Sequence, residues 1–301
     1  MRYPLGAERG RYLNKFHWLA VGLLLAPLAA AHADGAELPD GLHIFGNAAE
    51  LARSTQPEWI SPLITTTALL EQRFRFDIAR QRSGNGNRTT VLDGGRGLDL
   101  LISETNEIQI GLPPYESRSF PGNSTRVDGF ADWPFVRLEQ RLASAPEEAG
   151  DYVLTTWIQF QAPSGVAHLT THAWIFVPTI AFGKGWGDLV VQGTISAVLP
   201  ASQTTTLGQQ LQSNIALQYH LFTLLWPEVE ANWTWYAAGL RSGLNQLYLT
   251  TGVVVGRFRV SDRLRVNVGA GYQFAVAPAY RARPLTPGHA NAWLLSTRFN
   301  F

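Results

Sequence analysis

The residues that could support catalysis are the five histidines after the first 33 residues: His43, His168, His172, His220 and His289. A serine nucleophile on a strand needs an imidazole that can take its hydroxyl proton. A His and a Ser two residues apart on one strand face meet that need. None of the five histidines has a Ser at that spacing. The sequence therefore predicts no enzyme of this type.

A metal or cofactor site is equally poorly supported. His168 and His172 lie four residues apart, but no carboxylate or third ligand stands near them in the sequence. The chain has no Cys. The segment 93–97, Asp-Gly-Gly-Arg-Gly, is typical of a turn rather than of a calcium loop. We expect no metal and no cofactor.

The more informative chemistry is a set of charged residues that alternate with apolar ones. Arginine dominates its cationic members, and the planar fork of arginine suits bidentate pairing with carboxylates. Such a set forms either a mutually neutralised cluster or a charged lining along a solute path. The candidate residues are Glu71, Arg73, Arg75, Asp77, Asp99, Arg137, Glu139, Arg141, Glu228, Glu230, Arg263, Arg265 and Arg298.

The elements that carry these charges are predicted to be strands, because the alternation has a period of two. From 264 to 276 the even positions are apolar, while the odd positions between them are polar or glycine. The same alternation recurs along the chain. It predicts strands near 63–79, 97–103, 106–112, 130–143, 151–162, 170–182, 187–199, 209–221, 228–238, 247–258, 263–277 and 291–301. Splitting the second and third strands at 103–105 gives the even number that single-chain bacterial barrels have.

Composition indicates where such strands would lie. Charged residues make up only 16% of the chain and aromatic residues 11%, and no apolar run after residue 33 is long enough for a spanning helix. Lipid admits only helices and closed sheets. We therefore predict an all-β fold, a transmembrane antiparallel up-and-down β-barrel of about 12 strands. Its charges would face inward, because each would cost ~2–4 kcal/mol in mid-bilayer.

The N-terminal region divides into two parts ahead of a barrel predicted over 63–301. Residues 1–33 combine four basic residues, a short apolar run and the small-residue site Ala31-His32-Ala33, which is typical of a cleaved signal peptide for Sec export. For 34–62 we favour a periplasmic segment anchored by Trp59, and the alternative is a small hatch inside the barrel. Without the leader the chain is slightly acidic, and it has no basic stripe, so we expect no nucleic-acid partner.

The two ends of the predicted barrel differ. Short connections near 144–150, 183–186, 222–227 and 259–262 would be periplasmic turns, and the longer connections would be extracellular loops. The terminal Phe301, after alternating apolar residues, resembles the signal by which outer-membrane barrels are recognised for assembly. We therefore expect location in a Gram-negative outer membrane. The expected partners are its lipid and lipopolysaccharide, the barrel-assembly machinery and a small solute.

Several blocks, in order along nearly the whole mature chain, resemble a bacterial outer-membrane family named for the meta-pathway of phenol degradation. They are 57–63, 70–75, 112–115, 128–133, 178–188, 225–232, 255–258 and 269–276. The resemblance implies a barrel that transports small, aromatic or hydrophobic solutes.

The sequence supports two functions. The first is an outer-membrane channel or transporter for small solutes. The alternative is a non-conducting structural or adhesin-like barrel whose lumen is filled by salt bridges. Inward-facing charges are expected in both, so the sequence leaves the choice open.

Overall fold

The computed structural model describes residues 48–94, 96–122, 126–261, 263–277 and 288–301. The expected signal peptide 1–33 and the first part of the 34–62 segment lie outside the described residues. Within the described part, no helix has the length and apolar character needed to cross a membrane.

The described chain consists mainly of antiparallel strands. They are β1 (Arg73–Arg82), β2 (Arg88–Leu92), β3 (Gly97–Leu101), β4 (Asn106–Gly111), β5 (Tyr115–Ser119), β6 (Arg126–Phe130), β7 (Trp133–Ala145), β8 (Tyr152–Ala162), β9 (Ile175–Trp186), β10 (Leu189–Pro200), β11 (Gln210–Tyr219), β12 (Leu225–Tyr236), β13 (Asn245–Arg259), β14 (Arg265–Ala277) and β15 (Asn291–Asn300). Short helical segments occur at 48–54, Glu147–Ala149 and Thr204–Leu207.

These fifteen segments form twelve spans. β1 pairs with β2 along its later half and with β3 along its first three residues, so β2 and β3 are two parts of one interrupted span. Two further spans are interrupted in the same way. One consists of β4 and β5, which pair with β3 and β2. The other consists of β6 and β7, which pair with β5 and β4. The predicted turn at 103–105 is confirmed, because β3 and β4 pair around it.

The sheet closes on itself. β1 pairs with β15 over ten positions, from Arg73 opposite Asn300 to Arg82 opposite Asn291. The strand order therefore closes into a barrel, as lipid requires, and among the described strands the short β6 is paired on one side only, with β5. The prediction of a closed antiparallel barrel of 12 strands is confirmed. We call the Arg73–Asn300 end the terminal end and the Arg82–Asn291 end the loop end.

The period-two alternation separates an apolar outer face from a polar inner one. Large apolar side chains point outward along most strands and are about half exposed, including Ile110, Leu138, Ile180, Ile195, Ile215, Val229 and Leu295. The inward positions carry buried Gln, Thr, Asn, Arg and Glu instead. This arrangement suits a barrel with lipid outside and a polar interior.

Several predicted boundaries were wrong, and the turn expected near 183–186 lies within β9. The first strand begins at Arg73 rather than at 63, and Leu69 and Leu70 are both buried, which a strand with one face in lipid does not allow. The longer connections left between the predicted strands, at 80–96 and 113–129, contain strand residues, because the sheet resumes in β2, β5 and β6 after short irregular segments. Gly and Pro in those segments interrupt the spans without ending them.

Residues 48–72 run from a partly exposed helical turn at the barrel mouth into the lumen, and we call them the plug. The chain enters at the terminal end, where Arg53 donates to the carbonyl oxygen of Phe301 (2.9 Å), and it returns there to begin β1. Between these points its backbone bonds to inward-facing side chains of several strands, including Thr155 and Gln192. The periplasmic segment that we favoured for 34–62 is therefore wrong for the described residues 48–62.

Candidate functional site

The centre of the plug is held partly by carboxylates on β12. Glu228 accepts a hydrogen bond from the backbone N–H of Leu63 (2.9 Å). Glu230 accepts from the N–H groups of Ile64 (2.8 Å) and Thr65 (2.6 Å). Alternation along β12 turns both carboxylates inward, and each is almost fully buried. Each of these buried backbone N–H groups finds its acceptor on β12, so β12 anchors this part of the plug.

The same stretch of plug is held by guanidinium groups on another part of the wall. Arg298 of β15 donates to the carbonyl oxygens of Ser61 and Pro62, the latter at 2.7 Å. Arg75 of β1 donates to the carbonyl oxygen of Leu63 at 2.5 Å. The segment 61–65 thus presents its carbonyls to arginines and its amides to glutamates. These bonds account for backbone groups that would otherwise be buried without partners.

The plug also has an apolar seat, made by glycines on the barrel wall. A Cβ atom at Gly252, Gly269 or Gly271 would lie 2.3, 2.5 or 2.7 Å from the δ carbons of Leu63. A Cβ at Gly183 would lie 2.4 Å from the ring of Trp59. Real Cβ atoms do not approach other atoms so closely, so the wall lacks side chains where the plug inserts its own. The plug and the wall are therefore complementary in shape.

A buried ion cluster lies beside the plug near the terminal end. Arg73 contacts Asp99 (2.7 Å) and also forms an ion pair with Glu71. Arg137 contacts Glu139 (2.9 Å) and lies within an ion-pair distance of Glu107. Removing one member of such a cluster leaves an uncompensated buried charge, which typically costs about 3–5 kcal/mol. The cluster therefore stabilises this part of the lumen as a unit.

The structure brings most of the predicted charged residues together around the plug. Arg141 donates to the carbonyl oxygen of Ala52 (3.0 Å), and Asp77 lies between Arg75 and Arg96. The remaining inward-facing members of the set are Arg73, Asp99, Arg137, Glu139, Glu228, Glu230 and Arg298. Glu71 belongs to the plug itself rather than to a strand.

Two predicted lumen residues lie elsewhere. Arg263 is exposed in the connection before β14, and Arg265 is exposed as the first residue of that strand. Arg265 has the same parity as the buried Asn267, but it is the first residue of β14 and lies at the rim of the barrel, where the wall no longer covers it. Neither residue is part of the lumen as described.

Several residues that hold the plug were missed by sequence reasoning. Arg96, between β2 and β3, donates to the carbonyl oxygen of Ile64 (3.0 Å), and it lies in a segment that reads as a turn. Arg257 donates to Glu58 (2.9 Å) from a β-bulge that turns its side chain toward the plug. Glu107 had a usable signal, because it alternates with the outward-facing Ile108 and Ile110.

Above the plug, toward the loop end, the lumen opens into a vestibule of ≈ 720 Å³. Its lining combines polar side chains with a few apolar ones. The polar residues include Gln81, Thr89, Glu116, Arg118, Gln159 and Gln161, and the apolar ones include Val91, Phe120 and Leu169. This volume falls in the range of small-molecule sites.

The described histidines, His168, His172, His220 and His289, form no metal site with other side chains. Among the described residues no three His, Cys, Asp or Glu side chains are grouped as a metal would require. His289, near the loop end, stacks on Tyr248 with 4.6 Å between ring centroids and lies 2.8 Å from Oε1 of Gln273. Burial lowers the pKa of His289 to about 4. The ring is therefore neutral at ordinary pH.

A closed twelve-stranded barrel with an apolar outer face has the architecture of outer-membrane β-barrels. In a comparison of structures, the chain is similar to an outer membrane channel from Pseudomonas putida F1. The TM-score is 0.52 and the identity 13%, over 80% of this chain and 98% of that one.

Two further solved structures are less similar. A NanC porin has a TM-score of 0.47 and 9% identity, over 75% of this chain and 100% of the porin. OmpT, an outer-membrane protein of Vibrio cholerae, has a TM-score of 0.37 and 8% identity, over 76% and 96% of the two chains. The likeness to the Pseudomonas channel shows the fold of this chain. The similarity to the other two structures is too low to add to that conclusion.

The comparisons of sequence give no family. No protein-family model matches the chain, and no curated protein sequence matches it. The resemblance to the phenol meta-pathway family therefore stays a prediction.

Proposed function

We propose that the chain is an outer-membrane channel for small solutes, rather than an enzyme, and that its own N-terminal segment closes it at rest. The observation that carries this proposal is the fitted seat of the plug, in which wall glycines receive Leu63 and Trp59. A segment held only by non-covalent bonds to a complementary wall can leave that wall and return. Solute would pass while the segment 61–65 is displaced.

The vestibule supports a small solute with both polar and apolar surface. Amide and hydroxyl side chains such as Gln159 and Thr89 offer hydrogen bonds, while Phe120 and Leu169 offer apolar contact. A small aromatic compound with a polar substituent combines both kinds of surface. We therefore retain the small aromatic or hydrophobic solutes that the family resemblance implies.

The same proposal gives the chain its orientation. The terminal end would face the periplasm, because the short connections and both ends of the described chain lie there. Residues 1–33 would be removed on Sec export. Phe301 would belong to the assembly signal read from the last strand.

A reversible covalent lock on the plug tests this function. The double variant Leu63→Cys/Gly269→Cys puts two thiols in a chain that has no other Cys. Shortening Leu63 removes the atoms that a Cβ at position 269 would meet, and its other neighbours lie 3.3 Å away or more. The two Cβ atoms then come within reach of a disulfide. Oxidation would fix the plug in its seat.

The assay is solute flux into proteoliposomes together with planar-bilayer current, measured on oxidised and reduced protein. We expect flux in the reduced state and its loss after oxidation. Each single Cys variant is the matched control and should be insensitive to the oxidant. Equal flux through oxidised and reduced protein would contradict plug displacement, since solute would then bypass the plug.

A second candidate function is a non-conducting structural barrel, favoured by the buried ion cluster of Arg73, Asp99 and Arg137. A lumen filled by paired charges and a fitted segment can serve stability alone. In that case neither the oxidised nor the reduced double variant would carry current or solute. The lock experiment therefore separates the two functions.

A further inference from the structure

Four arginines form an unusual patch on the outer face of the barrel at its loop end. The pairing register sets three of them in one row across four neighbouring strands: Arg82 lies opposite Arg88, Arg88 opposite Ser119, and Ser119 opposite Arg126. Arg80 lies in the next row, opposite Thr90. Because adjacent strands are ~4.8 Å apart, the row of three spans only about 15 Å.

These side chains point away from the lumen. Residues directly opposite each other in a sheet share a face, and Arg80 is paired with Trp293, which is 65% exposed on the outer surface. Arg82 is on the same side as Arg80, while Gln81 between them lines the vestibule. All four arginines are exposed.

The positive charge of the patch is largely uncompensated. Asp128 forms an ion pair with Arg126 (2.7 Å). Within the described residues, no carboxylate forms an ion pair with Arg80, Arg82 or Arg88. Like charges placed directly opposite each other on a sheet destabilise it, so the Arg82–Arg88 pair calls for an anion from outside the chain.

The surroundings place the patch at the depth of lipid headgroups. Trp293 and Tyr272, whose rings are 4.9 Å apart, lie on the outer face in the same row as Arg80. Tryptophan and tyrosine collect at membrane–water interfaces. The row of Arg82 and Arg88 lies one step further toward the loop end, where headgroups begin.

We propose that Arg80, Arg82, Arg88 and Arg126 form a binding site for the phosphate groups of an outer-leaflet glycolipid, the lipid A part of lipopolysaccharide. The guanidinium fork binds phosphate oxygens in a bidentate way, and several such groups in one row fit a ligand with more than one phosphate. The site rests on the orientation with the loop end outward, and it is separate from the plugged lumen.

Binding of purified diphosphorylated lipid A to the folded barrel in detergent, followed by native mass spectrometry, tests this site. For Arg82→Gln/Arg88→Gln we expect a loss of affinity of roughly tenfold or more, because two phosphate contacts are removed. The matched control is Arg263→Gln/Arg265→Gln, which removes the same charge from exposed residues at the other end. The control should bind as the unaltered protein does.

Four results would overturn the site, and three of them come from the variants and from competition. They are unchanged binding by the first variant, an equal loss in the control, and displacement of the lipid by millimolar inorganic phosphate, which would indicate a free-anion site. The fourth result is equal binding of lipid A stripped of its phosphates, which would show that the arginines do not bind the phosphate groups. The folded state of each variant is checked by its mobility on an unheated gel. Channel current should be unchanged in both variants, so failure of the lipid site leaves the proposed function standing.

Discussion

Glu230 is the residue at which the hold on the plug can be weakened with least change in shape. Its carboxylate is fully buried and accepts hydrogen bonds from two plug amides, those of Ile64 and Thr65, one on each oxygen. In Glu230→Gln one oxygen remains as an acceptor, and the other is replaced by an NH₂ group. One plug amide then faces a second donor. The seat keeps its volume but loses one bond.

The size of the effect follows from that lost bond. A hydrogen bond to a charged group contributes about 1.5–3 kcal/mol, which corresponds to a factor of roughly 10 to 150 in the population of the displaced plug. The barrel itself should keep its stability, since the pairing of β12 with β11 and β13 does not involve this side chain.

The displaced state can be measured by thiol labelling, because the chain has no Cys of its own. Thr65→Cys places a thiol in the plug at a position with no exposure. If the plug opens and closes faster than the reagent reacts, the labelling rate follows the open population. We expect Glu230→Gln to raise the rate with a small maleimide by roughly 10- to 150-fold.

The matched control is Glu116→Gln, which makes the same chemical change in the vestibule wall away from the plug. It should leave the labelling rate of Thr65→Cys unchanged. If Glu230→Gln also leaves the rate unchanged, the carboxylate does not hold the plug, and the inference that β12 anchors segment 61–65 is refuted. An equal rise in both variants would indicate a general loosening of the barrel instead.

Three further results are expected. Unboiled protein should migrate differently from boiled protein on a cold gel, and identical mobility would contradict a closed barrel. Leu295→Arg should lower the free energy of unfolding by ~2–4 kcal/mol in a refolding titration, because Leu295 lies mid-strand in lipid. Trp293→Arg should lower it by only about 0–1 kcal/mol, because Trp293 lies near the interface. Equal losses would contradict this assignment of depth. Deleting Phe301 should lower the assembled fraction in membranes without lowering export, and normal levels would show that it is no assembly signal.

The barrel was predictable because most of its long strands carry their own two-sided pattern. In β14 the inward Asn267 and Gln273 alternate with outward apolar residues, and the structure keeps that alternation through most of the strand. The even strand count justified a break at 103–105, although the local sequence marks it only weakly. The alternation depends only on neighbouring residues, and the even count follows from the requirement that the sheet be closed.

The plug was not predictable from the same signals. Its residues 59–65 are buried by a wall that surrounds them, so no two-sided pattern distinguishes them from a tail. Alternation placed Gly269 and Gly271 on the lumen face, and only their position against Leu63 shows why a side chain is absent there. Arg265 was misplaced for a related reason, because alternation gives the side of a strand but not whether the barrel rim covers it.

The number of strands explains why a plug is needed at all. Eight strands enclose a space that wall side chains can fill, while 16 to 18 leave an aqueous channel. Twelve strands lie between these cases, and the lumen divides accordingly: residues 48–72 fill the part toward the terminal end, and a vestibule of ≈ 720 Å³ remains toward the loop end. The barrel wall alone therefore does not decide between a channel and a filled structural barrel. That choice rests on the free energy that holds segment 61–65 between the arginines of β1 and β15 and the glutamates of β12.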